Sequence, residues 1–463
     1  MTRLSIFAAA REAPDRIALI SGNASFTYAE LAARTLGRAL ALAQRQGPVL
    51  LQPQLDLDGL LWLYAAAATG IPFMVLHAGA TAHERAAAQA LTGARNPPPP
   101  DVAPTLLVER FVEREIEPEN PFSLMLTSGS TGTPKVIVLS RRAVLASAAA
   151  SEANLGLAED ERWLLCLPLS HVAGLSIVVR MLSARRTVVV FGPGPAGLLA
   201  RMGALGRQIH DQRVTLVSLV PSLLERLLHE GFQPPAALRA VLLGGAGCSS
   251  GLAERARRAG VPLLTSYGLT ESGSQIAARR YAERHDPLPE LGGRVSSGHP
   301  LAGVELKIVG GRIAIKTAAL FSGYVGTAAP PLDVDGWFLT SDRGILGPAG
   351  ELHVLGRTDL IIISGGENVD PEEVECALRA LPEVRDVCVF GVPSAEFGQR
   401  VVAAVVPTAG TPTFTLEQLT IQLRSQLTRF KLPRSLVVAD ELPITASGKL
   451  DRAACAARFG RSC

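Results

Sequence analysis

The sequence predicts an α/β fold, with a large N-terminal domain of mixed or parallel sheets flanked by helices and a smaller α+β C-terminal domain. Three observations carry this expectation. The chain has 463 residues, more than one compact core sustains, so two or more domains are expected. From Val136 onward, extended and helical segments alternate at the spacing of a parallel sheet with helices on its faces. Near Gly356 the character changes to short strands, a glycine turn and a new helix start, which opens a second unit.

The elements follow in order. Thr27-Tyr28-Ala29-Glu30 is a capping-box pattern, with Leu31, Leu36 and Leu40 behind it at roughly helical spacing and Gly47-Pro48 as a stop. The most apolar run, Leu60 to Leu76, is interrupted by Gly70 and Pro72 and falls short of a roughly 20-residue spanning helix, so it reads as a buried helix running into a strand. Four prolines from Pro97 to Pro100 remove donors and restrict φ, which predicts a stiff surface connector. Arg142–Glu152 and Ser222–His229 read as helices; Trp163–Leu167, Val188–Phe191, Val214–Val220 and Leu238–Leu243 read as strands. Ligands in such folds sit at the carboxyl ends of strands, where the spacing places both the Gly/Ser loop after Leu126 and Tyr267–Glu271. In the second unit Ile361–Ile363 is a short strand and Ser364-Gly365-Gly366 a turn. Asp370-Pro371-Glu372-Glu373 is a signed helix start: a cap, a proline in the first turn, then acids that complement the dipole. Strands follow near Val387–Phe390 and Val401–Val406. A helix then places Leu416, Leu419, Leu423, Leu427 and Phe430 on one face.

Composition narrows the function classes. The formal charge is +3, and arginine pairs such as Arg141-Arg142 and Arg185-Arg186 are scattered, so no nucleic-acid partner is expected. Six cysteines show no CxxC pairing and no zinc-ligand spacing, which makes reduced structural thiols the default. The N-terminus meets Arg11 and Glu12 too soon for a signal-peptide core, so a cytoplasmic protein with no membrane partner is expected.

The densest chemical signal is Thr127-Ser128-Gly129-Ser130-Thr131-Gly132-Thr133-Pro134-Lys135. Glycines let backbone N–H groups close around an anion, the hydroxyls add donors, and Lys135 adds charge. A polyphosphate ligand follows. A Walker A loop is excluded, because no hydroxyl residue follows the lysine. Taken alone, the stretch also suits an ordinary turn. Its company decides between the two: Leu167-Pro168-Leu169-Ser170-His171, Ser266-Tyr267-Gly268-Leu269-Thr270-Glu271, Thr340-Ser341-Asp342-Arg343-Gly344, Gly356-Arg357-Thr358-Asp359 and Ser447-Gly448-Lys449, in that order.

Together these motifs resemble the adenylate-forming superfamily of acyl-CoA synthetases, peptide-synthetase adenylation domains and luciferases, over about Ile17 to Arg452. The resemblance implies an enzyme that condenses a small carboxylic acid with ATP, assisted by Mg²⁺, and passes the acyl group to CoA as co-substrate. It divides the chain into an ATP- and acyl-binding domain, 1–357, and a mobile lid, 358–463, hinged at Asp359. By the same resemblance, Thr127–Gly132 and Lys135 surround the phosphates, and Thr131 and Glu271 lie near the metal. Tyr267, within the run that includes Gly268 and Thr270, stacks on adenine beside the Gly244-Gly245-Ala246 turn. Asp342 takes the ribose hydroxyls and Arg357 lies near ribose or phosphate. Lys449 contacts the carboxylate and α-phosphate, then swings away for the second half-reaction, while His171 gates the acyl site.

The run from Leu167 to Arg180 and the motif Ile363-Ser364-Gly365-Gly366-Glu367-Asn368 look like those of o-succinylbenzoate–CoA ligases of menaquinone synthesis. Arg180, nine positions after His171, can pair with the second carboxylate of a dicarboxylic aromatic acid; a helix-surface arginine is the bland alternative. Ala173 departs from the serine usual in that family, so other aryl acids stay open. A carrier-protein acceptor in place of CoA, a homo-oligomer and a non-catalytic binding relative also remain open at this point.

Overall fold

The computed structural model describes residues 2–100, 115–127, 135–192, 198–291, 294–327, 329–394, 396–411, 415–445 and 448–460. Its largest sheet has nine strands, in an order given by their first residues as 299, 274, 263, 240, 216, 162, 187, 17 and 24. The interior, from 263 to 17, is parallel throughout, as the alternation of helix and strand predicts. Antiparallel strands close both edges. The central strands Leu216–Leu219 and Ala240–Leu243 are buried at every position, the apolar signature of a parallel sheet covered on both faces.

A second sheet orders strands starting at 323, 135, 121, 73 and 49. Pro121–Thr127, the strand before the Gly/Ser loop, runs parallel to Phe73–Val75 on one side, as expected, and antiparallel to Lys135–Ser140 on the other, with Thr127 opposite Lys135, so the loop spans a hairpin. Residues 128–134, including the expected ligands Ser128, Gly129, Ser130, Thr131 and Gly132, lie outside the described residues. Tyr267 also moves relative to expectation: it lies within the strand Leu263–Leu269, and only Thr270–Ser272 forms the turn beyond it.

Local signals produce the helices they announce. Thr27 and Glu30 form a reciprocal capping box at the start of Tyr28–Ala43. The apolar run becomes the helix Leu57–Thr69, stopped by Gly70 at φ +74°, and the strand Phe73–Val75. No helix of the described residues is long and apolar enough to cross a membrane.

A four-stranded antiparallel sheet (304–309, 312–317, 338–346, 352–357) leads to the C-terminal region. There, five strands starting at 367, 362, 398, 384 and 435 form a separate sheet with its own cores on two faces. The expected last amphipathic helix is shorter than its pattern: it spans Leu416–Leu423, and Arg429–Lys431 is a separate 3₁₀ turn. Leu419, Leu423 and Leu427 are nevertheless buried, because a helix followed by a tighter turn still points these leucines at one core.

Asp370 ties this region to the rest. Its Oδ1 accepts the backbone N–H of Glu372 at 2.9 Å, capping the helix Pro371–Arg379. Its Oδ2 lies 3.2 Å from Arg343 Nη1 and 3.9 Å from Arg294 Nη2. Gly356, at φ +137°, makes room for it, since a Cβ there would come within 2.9 Å of the carboxylate. Asparagine caps nearly as well as aspartate but carries no charge. Asp370→Asn is therefore expected to cost less stability than Asp370→Ala, which loses cap and ion pairs together, about 2 kcal/mol. Urea unfolding midpoints measure the difference; equal losses would assign the whole effect to the arginines.

Candidate active site

The residues expected on the nucleotide side of the site meet where the large sheet adjoins the four-stranded one. Tyr267 Oη donates to Asp342 Oδ2 at 2.5 Å. Asp342 and Arg357 face each other across neighbouring strands, with Arg357 Nη1 3.4 Å from Asp342 Oδ1. The guanidinium also grips Asp359, Nε at 2.8 Å and Nη2 at 2.6 Å. Burial raises the Asp342 pKa, against the pull of Tyr267 and Arg357. Asp342 Oδ1, held among the described residues by the long contact to Arg357 alone, has lone pairs that suit a diol. Gly268 has a packing reason to be glycine: a Cβ would fall 2.1 Å from the Ser274 carbonyl oxygen.

Lys449 enters this cleft from a tight turn. Thr445 N–H donates to the Lys449 carbonyl at 2.7 Å and Gly448 N–H to the Thr445 carbonyl at 2.9 Å. Gly448, at φ +80°, packs on Val220 and Ser222, and the Ser222 hydroxyl donates to its carbonyl. Gly245, also at φ +80°, lies so close that a Cβ on it would sit 2.7 Å from Lys449 Cε. The predicted Gly244-Gly245-Ala246 turn therefore does seat an approaching group, and in this structure that group is the lysine. The surrounding protein and then Arg357 lower the Lys449 pKa, while Asp342 raises it.

His171 precedes the helix Val172–Ala184 and makes no side-chain cap. Burial first, then the charges of Lys449 and His77, push its pKa down to about 4. It is neutral at pH 7. Because its folded pKa lies below the ordinary 6.5, the unfolded chain binds the extra proton in between. Stability from this residue is complete above pH about 6.5 and is lost as pH falls toward 4. His171→Gln is expected to flatten that part of the stability profile, read by thermal unfolding across pH 4–7; an unchanged slope would contradict the burial effect.

Glu271, on the turn after the Tyr267 strand, accepts from Tyr324 Oη at 3.2 Å through Oε1, and burial raises its pKa. Lys135 Nζ lies 5.2 Å from the centre of the Tyr324 ring. Among the described residues Glu271 has no ion-pair partner, and no cluster of three or more His, Cys, Asp or Glu is arranged to hold a metal. A single hard carboxylate suits Mg²⁺, which commonly binds one or two carboxylates plus substrate phosphates and keeps several waters. Thr131, the other expected contact to the metal, lies outside the described residues.

Arg180 overturns the bland reading of a helix-surface arginine. Its helix packs it inward, 4% exposed, with Cζ 5.3 Å from the centre of the Trp163 ring. Nη2 donates to Ser274 Oγ at 3.1 Å. Nε is buried without a hydrogen-bond partner, and no carboxylate among the described residues pairs with the guanidinium. Burial alone pushes its pKa down to about 9. A narrow cavity lined by Arg180, Ser176, Val179, Val172 and Gly273 runs beside it. Ala173 is exposed two turns earlier on the same helix. A buried, positively charged arginine without a carboxylate is a standing cost that an anionic ligand can offset.

Family comparisons agree with this geometry. Residues 92–325 match the model of the AMP-binding enzyme family, and residues 373–449 match that of the AMP-binding enzyme C-terminal domain. The chain belongs to the AMP-binding enzymes. A 2-succinylbenzoate–CoA ligase of Bacillus licheniformis is 32% identical over 95% of this chain and 96% of its own. A probable 2-succinylbenzoate–CoA ligase of Mycobacterium tuberculosis is 38% identical over 73% of this chain and 84% of its own. The o-succinylbenzoate CoA synthetase of Bacillus subtilis, solved with its acyl-adenylate intermediate, superposes with a TM-score of 0.81 at 29% identity, covering 97% of this chain and 96% of that one. The same synthetase with ATP and magnesium ion gives 0.80 at 30% identity, covering 97% and 98%.

In this AMP-binding enzyme the expected residues Tyr267, Asp342, Arg357, Glu271, Lys449 and His171 share one electrostatic neighbourhood. Three contributors carry no local signal in sequence. Tyr324 reaches Glu271 from 53 positions away, Ser222 holds the Gly448 turn from 226, and Ser274 meets Arg180 from 94.

Proposed function

We propose that this AMP-forming ligase activates o-succinylbenzoate with ATP and transfers the acyl group to CoA. The observation that carries the substrate is Arg180, a buried guanidinium that meets no carboxylate among the described residues. A fatty acid has one carboxylate, consumed at the reacting end, and gives Arg180 nothing to bind. A dicarboxylic aryl acid presents a second one.

In the first half-reaction a carboxylate oxygen attacks the α-phosphorus of ATP and pyrophosphate leaves. Lys449, with its ammonium in the cleft, neutralises charge that gathers between carboxylate and α-phosphate. Asp342 accepts the ribose hydroxyls and Arg357 holds that carboxylate in place. Mg²⁺, bound near Glu271 and Thr131, would supply charge neutralisation on the phosphates. Lys135 and Thr127–Gly132 flank the same phosphates, and Tyr267, Gly268 and Thr270 with Gly244, Gly245 and Ala246 border the base. Neutral His171 gates the acyl pocket without adding a charge. In the second half-reaction the CoA sulfur attacks the acyl carbon and AMP leaves. Residues 358–463 act as the lid that withdraws Lys449 between the steps, hinged at Asp359.

Pyrophosphate release with ATP, Mg²⁺ and CoA tests the substrate, comparing o-succinylbenzoate with benzoate, salicylate and a medium-chain fatty acid. Preference for o-succinylbenzoate is expected. Equal rates with benzoate would remove the role given to Arg180, and thioester formed only on a loaded carrier protein would replace CoA as the acceptor.

A further inference from the structure

Ser274 is one of three non-glycine residues with positive φ among those described, at +140°. Such a backbone costs a serine on the order of 1–3 kcal/mol, and the surroundings impose it. Ser272 Oγ donates to the Ser274 carbonyl at 2.9 Å, and that carbonyl packs where a Gly268 side chain would stand. Glycine at this position would avoid the strain. What serine adds is a hydroxyl, and that hydroxyl is engaged by Arg180 and Ser176. It accepts from Arg180 Nη2 at 3.1 Å and donates to Ser176 Oγ at 3.3 Å. Ser176, one turn before Arg180 on the same helix, in turn donates to the Ala173 carbonyl at 3.0 Å.

Position 173 supplies no hydroxyl in this chain, so a carboxylate held by Arg180 needs its other hydrogen bonds from elsewhere. Both serines are buried and polar, and Ser176 and Arg180 line a small cavity together with Gly273. We propose that Ser274 and Ser176 are specificity-determining residues that complete the second-carboxylate site around Arg180 and take the place of a residue-173 hydroxyl. Each can rotate its O–H from its present protein acceptor to a carboxylate oxygen. Ser274 meanwhile holds Nη2, and the buried Nε has no hydrogen-bond partner among the described residues. This deepens the substrate reading above and rests on it.

The test compares wild type with Ser274→Gly, Ser274→Ala and Ser176→Ala, using kcat/KM for o-succinylbenzoate divided by that for benzoate. The Ser274→Gly variant keeps the positive φ without strain, so it is expected to fold at least as stably as wild type. Its selectivity ratio is nevertheless expected to fall roughly tenfold, as for loss of a hydrogen bond to a charged group. Ser176→Ala should lower the ratio in the same direction, and Ser176→Ala with Ala173→Ser should restore part of it. A folded Ser274→Gly enzyme with the wild-type ratio would overturn the inference while leaving the ligase and its substrate intact. A wild type without dicarboxylate preference would overturn both.

Discussion

Replacement of Lys449 by alanine is expected to slow acyl-adenylate formation by about 10²–10³, the range seen when one group that stabilises transition-state charge is removed. Thioester formation from supplied acyl-adenylate and CoA should largely survive. The split follows from placement. Lys449 sits on a turn held by contacts to Val220, Ser222 and Gly245, which under the proposed lid motion belong to one docked arrangement of the C-terminal region. A group delivered by one arrangement serves the step performed in it. Rapid-quench measurement of the two half-reactions separates them, and equal loss in both would contradict the assignment. Gly245→Ala makes a useful companion, because its added methyl would meet Lys449 Cε and should impair the same half-reaction with the lysine still present.

Replacement of Arg180 by methionine should cut kcat/KM for o-succinylbenzoate about a hundredfold, within the 2–5 kcal/mol typical when one partner of a buried charge pair is truncated. Its effect on the fold should be the opposite of what burial usually predicts. The guanidinium is desolvated, its Nε makes no hydrogen bond among the described residues, Nη2 meets Ser274, and the Trp163 ring faces it. An apolar side chain of similar length removes that penalty, so the thermal midpoint should hold or rise. Arg180→Lys should also fail to restore activity, since an ammonium cannot form the planar two-point contact. Loss of stability together with activity would mean that Arg180 serves the core rather than the ligand.

Much of the fold and of the nucleotide site was legible because its signals are local. Thr27 and Glu30 sit three residues apart and cap their helix as the pattern predicts. Asp370 and Pro371 do the same for theirs. The strands Leu216–Leu219 and Ala240–Leu243 are apolar runs that burial on two faces requires. Two kinds of information were not local. The hairpin that carries the Gly/Ser loop depends on which strands pair, and the run Phe122–Leu126 reads alike in parallel and antiparallel settings. The burial of Arg180 depends on which face of an almost wholly apolar helix meets Trp163, and the flanking valines do not distinguish the faces. For Ser274, the carbonyl on its strained backbone packs against Gly268 across the strand pair, where no side chain could stand, and nothing in the run Glu271-Ser272-Gly273-Ser274 announces it. The final amphipathic helix failed in a different way: a period of four persists through Leu427 although the helix ends at Leu423.

Product analysis under single-enzyme conditions tests the central claim most directly: purified protein with o-succinylbenzoate, ATP, Mg²⁺ and CoA, with AMP and the acyl-CoA thioester quantified together by chromatography. The geometry predicts equimolar AMP and o-succinylbenzoyl-CoA, and faster turnover than with benzoate. AMP without thioester, or turnover indifferent to the second carboxylate, would contradict it.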